Sequence, residues 1–413
     1  MRETEKKFSP YQWFVIAILG FIQFTVVLDF MVLSPLGAIL MPKMKIGPSE
    51  FGHIVSAYAF SAAASSILTA SFADKFDRKK LLLFFYVGFV IGTFLCAISN
   101  TYWTLLFARV FTGLFGGVIA SISMAIITDL FPMNRRGTVM GFVQMAFSAS
   151  QVLGIPIGLW LANTYSWQMP FFVIVVVAFV VGTIMLIKLK AVDAHLQRTE
   201  EYNAMRHLWS VMKQNMYRRG FLTTSLLALG GFMLMPFTSA FLLNNVGIDK
   251  DHIPYVFMLG GAAAMVAGPL VGRLSDRYGK YSIFIIGTII SCVMVYIYTH
   301  MGIAPLWMMM LINATLFAGI TARLVTAQSL MSGVPNPADR GAYMSLNSAV
   351  QQMAGGLGAV LSGWMVMQPG NKGPLYHFDS VGFVVIFTMI ACVVLMYFMN
   401  QYVKLKQLSS NYK

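Results

Sequence analysis

The stretch GRLSDRYGK, residues 272–280, concentrates charge in a chain that has little of it. Four of its nine residues are formally charged, whereas Asp, Glu, Lys and Arg make up 11% of the 413 residues and hydrophobic residues make up 58%. The mean hydropathy of the chain, +0.71, is too high for a water-soluble globule. We therefore interpret the stretch as a loop between segments that cross a membrane.

Apolar segments on either side of this loop are long enough to cross a bilayer, whose hydrocarbon core of about 30 Å needs about 20 helical residues. Polar breaks divide the chain into twelve such segments. The sequence thus predicts an all-α membrane protein with twelve transmembrane helices. Segments 1 to 12 lie near residues 13–40, 51–72, 81–99, 102–130, 138–163, 169–188, 220–245, 252–272, 281–299, 303–332, 341–367 and 380–403.

The basic residues divide unequally between the two sides that these segments define. Of 29 Lys and Arg residues, 23 fall on the side that holds both termini, and only Lys43, Lys45, Lys250 and Lys372 fall on the other. Such an excess marks the cytoplasmic side. We therefore expect cytoplasmic termini and a multi-pass protein of the plasma membrane, the inner membrane of a bacterium. The net charge of +14 then faces anionic lipid headgroups rather than nucleic acid.

Residues that carry enzymatic or metal chemistry form no recognisable set. The three cysteines, Cys96, Cys292 and Cys392, lie inside apolar segments, and the six histidines are scattered without ligand spacing. The sequence has no nucleotide-binding loop of the form G-x-x-x-x-G-K-[ST]. We therefore expect no disulfide, metal, cofactor or catalytic site, and neither an enzyme nor an ATP-driven pump.

The opening stretch has a counterpart 202 residues earlier, ASFADKFDR at 70–78, in which Asp74 aligns with Asp276. A second pair, FPMNRRG and VPNPADRG, ends at Gly137 and Gly341, an offset of 204. Two matches at nearly one period indicate a duplicated half.

A duplicated half with six segments keeps its orientation in the membrane, so we expect two pseudo-symmetric six-helix bundles. We place them at residues 1–188 and 220–413, with a cytoplasmic linker at 189–219. Small residues four apart precede each copy of the charged loop, and such stripes let helix backbones approach closely in lipid. The stripes are Ala62, Ser66 and Ala70, and Ala264, Gly268 and Gly272.

These features resemble the major facilitator superfamily, a family of transporters whose fold has two six-helix halves around a central cavity. The loop signature of that family, G-x-L-a-D-r-x-G-r-k, fits residues 272–280 well. It fits the first copy in part, since Ala70, Phe72 and Asp77 replace Gly, Leu and Gly. The resemblance implies a monomeric transporter of a small molecule and is silent about which molecule.

The resemblance also implies a role for the charged loops. In the family, the loop Asp meets a helix of the other half while the cavity opens outward, and an Asp at a helix N-terminus gains about 0.3–1 kcal/mol. We therefore expect a cytoplasmic latch that is made in one state and broken in the other; the alternative is charge that only sets topology. The latch candidates are Asp74, Arg78, Asp276, Arg277 and Arg340, with Arg135 and Arg136 as further partners of Asp276.

Two ionisable residues lie deep inside the membrane at similar depth. By the helical rise, Asp29 lies about 24 Å from the cytoplasmic end of segment 1, and Arg109 lies about 10 Å from the outer end of segment 4. In the resembled fold both segments border the cavity. VVLDFMVLSP around Asp29 resembles the acidic position of multidrug–proton antiporters, and RVFTG at Arg109 resembles the family's R-x-x-x-G.

A carboxylate at this depth has a chemical use. Burial disfavours its charged form whereas Arg109 favours it, so a change in hydration shifts the occupancy of a proton. We expect Asp29 and Arg109 to couple transport to protons; the alternative is a fixed structural ion pair. GIPIG at 154–158 and WQMPF at 167–171 resemble sugar- and arabinose-efflux members more than the G-P-x-x-G-G form of many exporters.

Polar side chains inside segments 5, 10 and 11 are candidates for lining a substrate cavity. Those of segment 5 lie at i, i+4 and i+7 on one helix face, and those of segment 11 are their repeat mates. Such faces either line water or hydrogen-bond each other, and a buried arginine either attracts an anionic group of a substrate or pairs locally. The candidates are Gln144, Ser148, Gln151, Asn313, Arg323, Ser348 and Gln352.

The function that fits these observations is proton-coupled export of a small organic molecule, drug-like or sugar-like. Its partners would be that substrate, protons and membrane lipids. One alternative is an uncoupled facilitator or a lipid carrier of the same fold, for which neutralising Asp29 would leave transport intact. A more remote alternative is a membrane scaffold or receptor.

Overall fold

The computed structural model describes residues 8–70, 72, 75–193, 204–336, 339–370 and 373–411. Within the described helices, side chains are described at all positions except 70, 133, 134, 137, 138, 144, 147, 148, 204, 205 and 407–411.

Helices make up the architecture of this part of the chain. Numbered in chain order, they are α1 Pro10–Val32, α2 Gly37–Met44, α3 Pro48–Ala70, α4 Arg78–Ile98, α5 Tyr102–Leu130, α6 Met133–Ala149, α7 Ile155–Thr164, α8 Met169–Lys188, α9 Ala204–Lys213, α10 Asn215–Leu234, α11 Thr238–Phe241, α12 Ile253–Tyr278, α13 Lys280–Thr299, α14 Leu306–Met331, α15 Arg340–Met365 and α16 Phe378–Asn411.

Ten helical segments of the described chain are long and apolar enough to cross a membrane. Two less apolar segments complete the predicted twelve, and they are repeat mates of each other. Segment 5 consists of α6 and α7 joined by a π-helical turn at Ser150–Gly154, and segment 11 is α15. The π-helical turn lies just before Pro156, which has no N–H to donate to a regular helix.

Segment 1 is shorter than predicted. The expected span ran to Leu40, but α1 ends at Val32 and a turn follows, closed by the Leu36 N–H donating to Leu33 O at 3.1 Å. Pro35 explains the break, since it lacks an N–H and restricts the residue before it. In the second half, α10 begins at Asn215, five residues before the expected start of segment 7 at residue 220.

The helix ends define two faces. We call the basic face the one at which α1 begins and α8 ends, near Pro10 and Lys188, and the opposite face the one that carries Lys43 and Lys250. The first helix group, α1 to α8, and the second, α10 to α16, share one large cluster of buried apolar residues next to the opposite face. Toward the basic face, each group has a separate cluster of its own.

Close contacts between the two groups occur in the half of the molecule next to the opposite face. A Cβ added at Gly52 of α3 would lie 2.7 Å from the carbonyl oxygen of Ala359 in α15. Phe51 packs against Phe237 with ring centroids 6.1 Å apart, and Asn163 Nδ2 donates to Lys250 O at 2.8 Å. The two groups are therefore joined tightly at that face.

The small-residue stripes differ between the two copies. In the first, a Cβ added at Gly117 of α5 would lie 2.5 Å from Ala62 Cα, and Ser66 Oγ donates to Gly117 O at 2.9 Å. In the second, a Cβ at Gly268 or Gly272 would have no atom within 4 Å. The prediction of close backbone approach is confirmed for the first stripe and wrong at these two glycines of the second.

Replacing Gly117 by Ala should therefore destabilise the protein, because overpacking a tight helix contact costs about 1–3 kcal/mol. Gly268→Ala is the matched control, and it should be neutral or stabilising since Ala favours a helix over Gly by about 1 kcal/mol. Thermal unfolding in detergent would compare the two. Equal Tm values for both variants would contradict the packing described here.

Candidate functional site

A buried ion pair joins α1 and α5. Arg109 Nη1 donates to Asp29 Oδ2 at 2.7 Å, and both side chains are at most 1% exposed. The prediction from helical rise that these residues lie at similar depth is consistent with this contact. An ion pair with so little access to water is costly to form unless its geometry is good.

Close helix contacts bring further side chains to the pair. A Cβ at Gly92 of α4 would lie 2.8 Å from Thr112 Cα, and a Cβ at Gly113 would lie 2.9 Å from Tyr58 Cα. The first contact places α4 against α5, so that Thr93 and Cys96 border the pair. The second lets α3 approach α5, which explains the glycine of the R-x-x-x-G motif.

Tyr58 covers the arginine. The guanidinium carbon of Arg109 lies 4.7 Å from the centre of the Tyr58 ring, within the range of a cation–π interaction. Asp29 Oδ1 and Arg109 Nε are buried and make no hydrogen bond to the described residues. Each member of the pair thus has one hydrogen-bonding atom that the other described residues leave unsatisfied. Such a carboxylate can take a proton if Arg109 is held by other groups.

Two of the cavity candidates lie inside the second helix group. Asn313 Nδ2 donates to Val256 O at 2.9 Å and so ties α14 to α12. Arg323 is buried with its guanidinium 5.8 Å from the Phe284 ring, and Cys392 also borders it. No carboxylate of the described residues lies within ion-pair distance of it. The structure does not bring these two side chains to the candidates on segments 5 and 11.

The remaining cavity candidates lie on the helices where the two groups meet. Gln144 and Ser148 belong to α6, and their side chains are outside the described set. Gln151 lies in the π-helical turn, where its backbone faces Gly261 of α12. On α15, Ser348 is exposed and Gln352 is half-buried.

The latch candidates of the second copy are not engaged in this structure. Asp276 and Arg277 are exposed at the basic-face end of α12, and the Arg277 guanidinium lies 5.3 Å from the Tyr278 ring. Asp276 makes no ion pair with any described residue. Arg340 is exposed at the start of α15.

In the first copy of the loop, Arg78 contacts a residue of its own helix group. Asp74 lies outside the described residues, and Arg78 pairs with Asp129 at the end of α5 with an N–O distance of 3.4 Å. Arg136 caps the same helix by donating to Phe131 O and Thr128 O.

Two residues that contact the predicted arginines are absent from the sequence prediction, Tyr58 and Asp129. A signal for Asp129 exists, because an acidic residue in the last turn of a helix opposes the helix dipole and needs a cation. Tyr58 offers no such signal, since a tyrosine inside an apolar segment is ordinary. Only the approach of α3 at Gly113 places its ring on Arg109.

Comparisons with known proteins agree on the family. A model of the Major Facilitator Superfamily matches residues 19–218 and 220–411. An uncharacterised MFS-type transporter of Bacillus subtilis (strain 168), YceJ, is 25% identical over 374 residues, which cover 89% of this chain and 93% of that protein. A probable sugar efflux transporter of Helicobacter pylori (strain ATCC 700392 / 26695) is 22% identical over 291 residues, 70% of this chain and 72% of that protein.

Among solved structures, a bacterial homologue of the human lysosomal transporter Spinster, inward-facing and unoccupied, is similar with a TM-score of 0.71. It is 16% identical and covers 97% of both chains, so the likeness concerns the fold. The family model, by contrast, matches nearly the whole sequence. With twelve membrane-crossing segments and a charged loop that recurs once per half, the chain belongs to the major facilitator superfamily of transporters.

Proposed function

We propose that the protein exports a small organic molecule in exchange for protons, by alternating access between two six-helix halves, residues 1–188 and 220–413. It would act as a monomer in a bacterial inner membrane, with both termini and the linker at 189–219 in the cytoplasm. The observation that carries the proposal is the buried pair of Asp29 and Arg109.

The pair supports proton exchange because each member neutralises the charge of the other at a site where both side chains are buried. When Asp29 takes a proton, Arg109 keeps an attractive contact with the Tyr58 ring, so its charge is not left without any partner. When Asp29 loses the proton, the ion pair re-forms at 2.7 Å. Both protonation states therefore have a place in the same fold.

The distribution of packing supports alternating access. One apolar cluster spans both helix groups at the opposite face, whereas the clusters near the basic face are separate. The positive-inside rule assigns the basic face to the cytoplasm. We therefore assign this structure to a state that is closed at the opposite face, in which Asp276, without an ion pair to any described residue, represents a broken latch.

The substrate class is proposed from the polar helices and one relative. A relative is named a probable sugar efflux transporter, and the candidates on α6, α15 and the π-helical turn are neutral amides and hydroxyls. Hydroxyl-rich or otherwise uncharged molecules match such side chains. We propose Gln144, Ser148, Gln151, Ser348 and Gln352 as their contacts.

A second function is favoured by the same ion pair. Asp29 and Arg109 are almost inaccessible in this structure, as expected of a fixed structural pair. An uncoupled facilitator of the same fold would have this feature without any proton exchange.

Asp29→Asn should abolish proton-driven transport. In inside-out vesicles with an acidic lumen, the parent protein should accumulate substrate, because protons leaving the lumen drive the substrate in. The variant cannot release a proton from this site and should lose at least tenfold of that uptake. Arabinose and ethidium, one sugar and one drug-like cation, serve as first probes, after a thermal-shift screen for ligands.

Asp251→Asn, in the exposed loop before α12, is the matched control and should transport normally. Gradient-driven uptake by Asp29→Asn equal to that of the control would identify the pair as structural and the protein as a facilitator.

Gly52→Leu should hold the opposite face open, since a side chain there collides with the Ala359 carbonyl oxygen and with Gly363. The reporter is Ala240→Cys, a fully buried position near that face, labelled with a membrane-impermeant maleimide. We expect labelling at least tenfold faster than in the parent. Gly302→Leu, where no atom lies near, should leave the rate unchanged; equal rates for both would contradict closure at this contact.

Asp276→Asn should weaken the latch and so favour the state that is open at the basic face. An Asp at a helix N-terminus contributes about 0.3–1 kcal/mol, which predicts a shift of about twofold to fivefold in the balance of states. Labelling of Ser348→Cys should become faster and that of Ala240→Cys slower. Unchanged rates at both positions would contradict the latch and indicate that the charge of this loop only sets the topology.

A further inference from the structure

An aromatic stack leads away from the ion pair toward the other half of the molecule. One side of the Tyr58 ring faces the Arg109 guanidinium at 4.7 Å. Phe30, the neighbour of Asp29 in α1, also packs against Tyr58, with ring centroids 5.1 Å apart and an interplanar angle of 36°. The arginine and Phe30 thus both contact one ring.

The stack continues across the boundary between the two halves. Phe30 contacts Phe232 of α10 with ring centroids 5.5 Å apart. Phe232 in turn lies over Gly355 of α15, where an added Cβ would be 2.8 Å from its ring. Counted from the Asp29 carboxylate, four consecutive contacts reach α10 of the second half, and a fifth reaches α15.

We infer that Tyr58, Phe30 and Phe232 form a relay through which the protonation of Asp29 closes the opposite face. The inference rests on the proposed function, because it assumes that Asp29 exchanges a proton. These three are positioning residues, since none of them would exchange the proton itself.

The direction of the effect follows from the charge of Arg109. While Asp29 is ionised, the guanidinium is neutralised by the carboxylate at 2.7 Å. Once Asp29 is protonated, the cation keeps the Tyr58 face at 4.7 Å and the Asp29 carbonyl oxygen at 3.5 Å from Nη1. A cation–π interaction strengthens in a desolvated site. The Tyr58 ring is then fixed in position by Arg109. Phe30 packs on that ring and on Phe232, which keeps the two halves in contact. Loss of the proton should loosen the stack and let the opposite face open.

Other titratable groups lie apart from this stack. Around Asp29, α5 contributes Arg109, α3 contributes Tyr58 and α4 contributes Cys96. The described titratable residues of α6 to α8 and of α10 lie at or next to helix ends. They are Arg135, Arg136, Tyr165, Lys188, Tyr217, Arg218 and Arg219. Arg340 and Tyr343 lie at the basic-face end of α15, whereas Glu50 and His53 of α3 flank Gly52 at the opposite face. A pH response that came from these residues would persist in Asp29→Asn, whereas one that came from Asp29 would not, so the variant assigns the response.

The experiment measures the gap at the opposite face as a function of pH. Spin labels at Lys43→Cys in α2 and Met367→Cys after α15 report the distance between the halves by double electron–electron resonance. In nanodiscs, the parent distribution should shift to shorter distances between pH 8.5 and pH 5.5. Asp29→Asn should give the short distance at both pH values.

Tyr58→Leu and Phe232→Leu should lose the pH-dependent shift, whereas Tyr58→Phe, which keeps the ring, should retain it. Phe237→Leu is the matched control, because the pair of Phe51 and Phe237 also crosses between the halves but lies outside the stack. It should retain the shift.

Each result separates the relay from the proton site. A shift that persists in Tyr58→Leu and Phe232→Leu but not in Asp29→Asn would overturn the relay and leave the proton site intact. Loss of the shift in Phe237→Leu would also overturn it, since any weakening of the boundary would then have the same effect. A parent without a shift, or one that Asp29→Asn preserves, would overturn the proposed function together with the relay.

Discussion

The cost of keeping two charges away from water constrains the packing of the whole first half. Removing one member of a buried ion pair typically costs about 3–5 kcal/mol, so Asp29 and Arg109 must stay in contact whenever both are charged. That contact requires α1, α3, α4 and α5 to converge at one depth. Glycines at positions 92 and 113 permit the approach, since any Cβ there would collide with the neighbouring helix. The small residues at these positions thus allow the helices to enclose the ion pair.

The second half keeps the fold of the first without its charge pair. Asn313 stands at the repeat position of Arg109, and its amide donates to Val256 O where the arginine meets a carboxylate and an aromatic ring. A neutral hydrogen bond ties α14 to α12 in all protonation states. The duplicated halves therefore differ in chemistry: the first holds a buried ion pair, and the second presents Phe232 of α10 and the glycines of α15 to it.

The sequence predicted depth and length well because lipid imposes both. An apolar segment must span the bilayer, and charged residues must lie at its ends, so most helices begin and end within a few residues of the prediction. The direction in which a side chain points around its helix is set by packing against other helices. A single sequence does not reveal that packing. Arg323 therefore points into the core beside Phe284 instead of toward segments 5 and 11, and Arg78 pairs with Asp129 within its own half.

One of the two less apolar segments, α15, combines close packing at one end with polar side chains at the other. In α15, Gly356 and Gly363 lie near the opposite face, where they admit Phe60 and the start of α3. The polar residues of the same helix, among them Ser348 and Gln352, come earlier in the sequence and lie nearer the basic face. Polar side chains facing lipid would cost free energy, so this part of α15 is stable only if it borders water or another polar surface. Tight packing at one end and polarity at the other are what a helix needs if the halves separate on one side while staying joined on the other.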